Sequence, residues 1–252
     1  MKYFFLALLL VIIVPVLILF ISSLFVRLDK NYKSESPYFR ILFRFSVALV
    51  IKVCRVRIHV SGMDKIPRDG RFLLVSNHCS NFDPIVQWYA LKDKRVAFLS
   101  KESNLHIPIF GKIAHRCFVN AIDRDNPRKA FNDILEAAEL VKSGEASMGV
   151  YPEGTRSKTG ELLEFHDGVF YIAQEAKVPT VVCVIRGTRE IHNNFPFRRS
   201  DVFLDFAEVI PPEETAEKRT GEIGLRVRGV LERELNTDMT GGFNRPAFSP
   251  QH

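Results

Sequence analysis

Two short segments of the chain combine residue types that do chemistry with positions where a fold would present them. The first is Asn77-His78-Cys79-Ser80-Asn81-Phe82-Asp83-Pro84, set between an apolar run of strand character and a run of helical spacing. Such junctions commonly carry reactive side chains. Imidazole is the usual general base of enzymes working near neutral pH, which makes His78 the candidate. Asp83 lies close enough in sequence to fold back across a turn, hold one ring nitrogen and leave the other to take a proton from a hydroxyl. Asp83 before Pro84 equally suits a helix N-cap. A carboxylate has enough lone pairs to cap a helix and orient His78 at once. Cys79 offers a covalent alternative through a thioester, but neighbouring side chains in an extended segment point to opposite sides, which places His78 badly for activating it.

The second segment, Tyr151-Pro152-Glu153-Gly154-Thr155-Arg156-Ser157, also follows an apolar run. Gly154 permits close backbone approach to a ligand, Thr155 and Ser157 supply hydroxyls, and Arg156 presents a planar fork that matches phosphate oxygens. The same residue types are common in surface turns, where Glu153 and Arg156 would form an ordinary ion pair. A further basic point is Arg124 in Ile122-Asp123-Arg124. Phe165-His166-Asp167-Gly168 opens another helical run, whose free backbone amides favour anions.

The elements that must position these segments alternate along the chain. Val56 to Val60, Phe72 to Ser76, Val96 to Leu99, Phe118 to Asn120, Ser147 to Tyr151, Thr180 to Ile185 and Val202 to Phe206 have the length and β-branched content of strands. Helical spacing covers Pro84 to Leu91, Pro127 to Lys142 and Gly168 to Lys177. Asn126 before Pro127 marks a start, and Gly144 marks a stop. Alternation of strand and helix predicts an α/β fold, with a mixed, largely parallel sheet flanked by helices. Glu213 to Leu235 reads as one charged helix, and Thr240 to His252 as a loose tail. There is no internal repeat.

The N-terminus is of a different kind. From Tyr3 to Val26 no residue is charged, and only Ser22 and Ser23 interrupt the apolar run. At ~1.5 Å rise per residue a helix of this length exceeds the ~30 Å of a bilayer core. A secretory signal has a shorter apolar region ending in small residues; here Leu24, Phe25 and Val26 follow, which favours a retained anchor. Arg27, Lys30 and Lys33 after the run place the body of the protein on the cytoplasmic face of the membrane. Pro15 permits a kink, so a helix that enters one leaflet and returns is also compatible. A second stretch, Tyr38 to Cys54, carries Arg40, Arg44 and Lys52 among apolar residues and suits either an interfacial helix or a core helix with a basic outer face. The expected organisation is an N-terminal membrane-associated segment over 1–55, one catalytic domain over 56–239 and a tail over 240–252.

Composition bounds the partners. The net charge of +6 favours an anionic one. An apolar N-terminus beside basic residues suits an anionic membrane surface, and no zinc-finger spacing or aromatic RNA-binding signature points to nucleic acid. Cys54, Cys79, Cys117 and Cys183 are dispersed without a CxxC pair, which suggests neither a disulfide framework nor a zinc site. No GxSxG elbow suggests a serine esterase.

Taken in order, the two segments resemble the signatures of the lysophosphatidate acyltransferase family, the glycerophospholipid acyltransferases: a histidine and an aspartate with four residues between them in His78 to Asp83, and an aromatic-PEGTRS block in Tyr151 to Ser157. The resemblance extends over Val56 to Ile210, taking in an apolar stretch ending in Asp123-Arg124 and an apolar-proline block at Val178-Pro179-Thr180. It implies that His78 is the general base and Asp83 its partner. It further implies that Glu153, Gly154, Thr155 and Arg156 bind the acceptor, that Arg124 assists with its phosphate, and that two N-terminal helices sit in the membrane. No metal and no cofactor are implied, acyl-CoA or acyl-carrier protein serving as co-substrate. The implied reaction passes a fatty acyl group to the sn-2 hydroxyl of lysophosphatidic acid; glycerol 3-phosphate or another lysophospholipid is the alternative acceptor. The family usually has lysine where His166 stands. Oligomeric state is not implied.

Overall fold

In a computed structural model the described residues are 2–30, 32, 34–117, 119–123 and 126–237, with side chains described from Ile13 onward. Among these residues seven strands, β1 (Val56–Ser61), β2 (Leu73–Ser76), β3 (Val96–Lys101), β4 (Asn120–Ile122), β5 (Ser147–Val150), β6 (Thr180–Arg186) and β7 (Ser200–Ile210), form one sheet. Its order is β1-β7-β6-β2-β5-β3-β4. Every neighbouring pair is parallel except β6 and β7. The mixed, largely parallel sheet read from the alternation is therefore present.

The helices are α1 (Lys2–Leu24), α2 (Pro37–Val53), α3 (Asp83–Ala90), α4 (Glu102–Leu105), α5 (Phe110–His115), α6 (Pro127–Lys142), α7 (Tyr171–Ala176), α8 (Glu190–Asn194), α9 (Pro212–Thr215) and α10 (Thr220–Asn236). The period-2 alternation of the strands divides their side chains between two cores. Leu74, Val96, Phe98, Val181, Cys183 and Ile185 pack with α2, α3 and α5 on one face. Leu73, Val75, Ala97, Leu99, Val182 and Val184 pack with α6, α7 and α10 on the other. A strand buried on both faces needs an apolar run, which β2 carries in Leu73 to Val75 and β6 in Val181 to Ile185.

Several boundaries differ from the sequence reading for local reasons. The Asn126 side chain accepts from the backbone N–H groups of Arg128 and Lys129, so α6 starts as its cap predicts. The strand expected at Phe118 to Asn120 is displaced to Asn120–Ile122, and Phe118 lies outside the described residues. Tyr151 leaves the strand, since β5 ends at Val150. Gly168 to Lys177 divides into a 3-10 turn over Asp167–Phe170 and α7. The single helix expected over Glu213 to Leu235 is two, α9 and α10, separated where the Arg219 backbone N–H turns to the Glu222 side chain at 2.7 Å and begins a new helix. The tail from Thr240 lies outside the described residues.

α2 packs inward through Phe43, Val47 and Ile51. Arg40 pairs with Glu35 at 2.6 Å and Arg44 with Asp93 at 3.4 Å, so these cations are engaged by the body of the protein. The outer face of α2 is nonetheless apolar, with Ile41, Phe45, Leu49 and Val53 exposed. The core reading of this helix thus holds for one face and leaves a second apolar face outward. α1 is helical from Lys2 to Leu24. Its last turns rest on the body through buried Ser22 and Ser23, and the Ser22 hydroxyl lies 2.7 Å from that of Tyr38. Among the described residues no helix is long and apolar enough to cross a membrane.

Candidate active site

The chain leaves β2 for α3 and β3 across one face of the sheet, and leaves β5 for α7 and β6 across the other. Adjacent strands whose connections depart to opposite faces open a crevice at their carboxyl ends, where α/β proteins bind ligands. Val75 and Val150 are in register across these two strands. The segments beginning at Asn77 and Tyr151 therefore emerge side by side into that crevice.

The first segment is pinned at its root. The Asn77 side chain donates to the Ile185 carbonyl and accepts from the Ile185 N–H, both at 2.9 Å, and so prolongs the β2–β6 ladder past Ser76. His78 Nδ1 then lies 2.7 Å from Asp83 Oδ2. The same carboxylate oxygen accepts from the backbone N–H groups of Cys79 at 2.7 Å and Ser80 at 2.8 Å. Asp83 Oδ1 accepts from the Thr188 hydroxyl at 2.5 Å. Asp83 is fully buried and is the first residue of α3, with Phe82 in the cap position. Its side chain serves the loop before the helix and the imidazole, which settles the choice between cap and histidine partner: the carboxylate caps a turn of the preceding loop rather than α3. A carboxylate accepting from Nδ1–H leaves His78 Nε2 as the unprotonated nitrogen. That atom has no hydrogen-bond partner among the described residues.

The second segment clamps the first. Glu153 accepts from the His78 backbone N–H through Oε1 at 2.7 Å and from the Leu163 N–H through Oε2 at 2.9 Å. In return the Ser157 N–H donates to the His78 carbonyl at 2.8 Å. Both backbone groups of His78 are thus held by the neighbouring loop. Glu153 is buried, and burial pushes its carboxyl above the ordinary value, opposed by the hydrogen bonds from Leu163 and His78. With both oxygens engaged by backbone, Glu153 acts here as a brace between loops rather than as a group reaching into the crevice. Gly154 has φ +65°, a conformation that favours glycine, and a Cβ there would sit 2.7 Å from the exposed His166 ring and displace it. Thr155 and Arg156 are exposed beyond it, and Arg156 makes no ion pair among the described residues. Arg124 lies outside the described residues.

Side chains that had no assigned role complete the arrangement. The Tyr151 ring stacks on the His78 imidazole, with centroids 4.1 Å apart and planes 16° apart. Its hydroxyl donates to Gln87 Oε1 at 2.7 Å, and burial raises the phenol well above its ordinary value. Thr188 follows β6 just as His78 follows β2, so the rule that singled out the first two loops, a polar residue directly after an apolar strand, would have found it. Tyr151 carries no such signal, because stacking depends on two strand ends being neighbours. Cys79 is the group that stays apart: burial, then the Asp83 and Glu153 carboxylates, push its thiol up to about 11. It makes no hydrogen bond to His78 among the described residues.

An apolar cavity of about 270 Å³ opens beside His78, walled by Tyr151, Phe43, Trp88, Phe98 and Leu105. A second apolar cleft lies across Tyr151, bounded by Phe131, Ile134, Gly154 and His166. Among the described residues no group of three or more His, Cys, Asp and Glu side chains is placed to hold a metal ion.

Fold and site together define an α/β protein that sets an imidazole, backed by a buried carboxylate, at the mouth of an apolar cavity. The family model described as acyltransferase matches residues 57–186, and the chain belongs to that family. It is 30% identical over 170 residues to the 1-acyl-sn-glycerol-3-phosphate acyltransferase of Escherichia coli strain K12, covering 66% of this chain and 67% of that protein. It is 36% identical over 119 residues to the protein of the same name from Cocos nucifera, covering 47% of this chain but only 38% of the longer plant protein. In fold it resembles the crystal structure of the 1-acyl-sn-glycerophosphate (LPA) acyltransferase PlsC from Thermotoga maritima, with a TM-score of 0.60, 23% identity, and coverage of 94% of this chain and 95% of that one.

Proposed function

We propose that this chain transfers a fatty acyl group from acyl-CoA or acyl-carrier protein to the sn-2 hydroxyl of lysophosphatidic acid, giving phosphatidic acid. The observation that carries the reading is the His78–Asp83 pair, 2.7 Å apart, with its imidazole in the wall of an apolar cavity wide enough for hydrocarbon. Acyl transfer to an alcohol needs a base for the hydroxyl proton beside an apolar site for the chain, and the names of the relatives agree with it.

In this mechanism His78 Nε2 takes the proton of the acceptor hydroxyl as its oxygen attacks the thioester carbonyl. The carbon–oxygen bond forms, the carbon–sulfur bond breaks, and the departing thiolate takes the proton back from the imidazolium. Asp83 holds the ring and offsets its transient charge. Positioned general-base help is worth about 10²- to 10⁴-fold in rate. Arg156, with Arg124, grips the acceptor phosphate, and Thr155 and Gly154 shape the loop that receives it. No acyl-enzyme is formed.

The apolar N-terminal helix holds the enzyme at the cytoplasmic face of the membrane, where its lipid acceptor resides. The outward residues of α1, among them Val16, Leu17, Phe20, Ile21 and Leu24, together with the apolar outer face of α2, support this placement. The test is incubation of the purified full chain with a labelled acyl thioester and a panel of lysophosphatidic acid, glycerol 3-phosphate and other lysophospholipids. Labelled phosphatidic acid from the first acceptor is the expected product. Free fatty acid released without acceptor dependence would overturn the assignment.

A further inference from the structure

The antiparallel pairing of β6 with β7 brings a second surface to the edge of the sheet that carries His78. Arg186, at the carboxyl end of β6, faces Phe203, and Ser200 at the start of β7 faces Val56 at the start of β1. The amino ends of β1 and β7 therefore lie on the same edge as the carboxyl ends of β2, β5 and β6. The loop Phe195-Pro196-Phe197-Arg198-Arg199, between α8 and β7, stands on that edge.

This loop is tied from beneath and bare on top. The Phe195 N–H donates to the Ile191 carbonyl at 3.0 Å, and the Arg198 N–H to the Asn194 carbonyl at 2.7 Å. The Asn194 side chain donates to the Arg199 carbonyl at 3.3 Å, and an Arg55 guanidinium nitrogen to the Phe197 carbonyl at 3.0 Å. A backbone held this firmly presents its side chains by construction. Phe197 is 85% exposed, more than any other large apolar residue described, and Phe195 is also exposed. Around them Lys52, Arg55, Arg198 and Arg199 are exposed, and none of the four forms an ion pair among the described residues. The nearby acid, Asp201, is taken by His59 at 2.7 Å, with Arg57 at 3.9 Å.

We infer that the Phe195–Arg199 loop, with Lys52 and Arg55, docks on an anionic lipid bilayer, Phe197 entering the interface while the cations meet lipid phosphates. An exposed phenyl ring costs free energy in water that the headgroup region relieves, and unpaired cations beside it add attraction to acidic lipid. A nucleic acid would satisfy the cations but offer the projecting Phe197 no apolar layer to enter. The inference goes beyond acyl transfer and is read without an activity assay. It makes the edge bearing His78 the edge that faces lipid, so an acceptor need move only a short way from the bilayer to the base.

The experiment uses the full chain carrying Phe197→Trp, reconstituted on vesicles of phosphatidylcholine alone or mixed with phosphatidylglycerol, with phospholipids brominated on the acyl chains as quenchers. Trp88, the single native tryptophan, is buried and gives the background through the unsubstituted chain. The expected result is quenching of the new tryptophan well beyond that background on anionic vesicles, and weaker quenching on phosphatidylcholine. Adding Arg198→Ala and Arg199→Ala is expected to lower the inserted population about fivefold per charge removed. Quenching no greater than background on anionic vesicles overturns the proposal, as does equal quenching on both vesicle types. Equal protection from aqueous iodide by a soluble polyanion would assign the surface to another class of partner. Co-flotation of the same samples reports the N-terminal helix separately, so failure of the loop and failure of the anchor are told apart.

Discussion

The Asp83 carboxylate takes the His78 imidazole on one oxygen and the Thr188 hydroxyl on the other, at 2.7 and 2.5 Å, so the end of β6 fixes the ring that follows β2. Thr188 acts as a positioning residue. Thr188→Val removes a hydrogen bond to a charged group, worth about 1.5–3 kcal/mol. It is expected to lower kcat about tenfold with the KM of both substrates little changed. Thr188→Ser should restore most of the loss, whereas His78→Ala should abolish at least about 10²-fold of the rate. Steady-state kinetics on the three variants checks this, and a Thr188→Val enzyme of wild-type kcat would remove the assigned role.

A covalent route through Cys79 is opposed by its thiol, which lies at about 11 and therefore keeps its proton at neutral pH. Fewer than about one molecule in a thousand would carry the thiolate at pH 7 to 8. Cys79→Ala is expected to turn over within about threefold of the parent. Alkylation of Cys79 by iodoacetamide, followed by mass spectrometry, should stay slow until the pH approaches that value. Isolation of a thioester on Cys79 during turnover would reverse this conclusion.

Glu153 links the site to stability through pH. Burial raises its carboxyl in the fold, so the folded chain binds this proton more tightly than the unfolded chain does. The contribution is full below the ordinary glutamate value and is lost as pH rises through the raised one. Glu153→Gln does not titrate, and its single acceptor oxygen serves only one of the His78 and Leu163 N–H groups, at a cost of about 1–3 kcal/mol. The variant should melt below the parent, with the gap widest near about pH 4 and narrower near about pH 7. Thermal melts at several pH values measure it. A gap that widened with pH would contradict the sign.

Arg156 carries its charge in the ground state and the transition state alike, so its loss is expected to weaken binding more than chemistry. Arg156→Ala should raise the KM for a phosphorylated acceptor about 10- to 100-fold, with a smaller effect on kcat and none on the KM of the thioester. Arg156→Lys should recover only part, since an ammonium lacks the planar fork. An unchanged acceptor KM would dismiss the phosphate role.

Where strands and helices fall was largely readable along the chain, because β2 and β6 are buried on both faces and carry apolar runs in Leu73 to Val75 and Val181 to Ile185, and because Asn126-Pro127 is a self-contained cap. Residue order was enough to bring His78 and Asp83 under suspicion, since their separation is that of a local turn. What order alone left open was decided by the sheet. Thr188 and Tyr151 meet the His78–Asp83 pair only because β6 and β5 flank β2, and nothing in the local sequence of any one strand states its neighbours. The same holds for Glu153, which local chemistry offers to a ligand and the fold spends on two backbone amides. The antiparallel turn of β7 likewise carries Phe197 to the edge of His78 from far along the chain. Local interactions set the elements and the short-range pair; long-range pairing, which depends on the packing of the whole sheet, set the company that pair keeps.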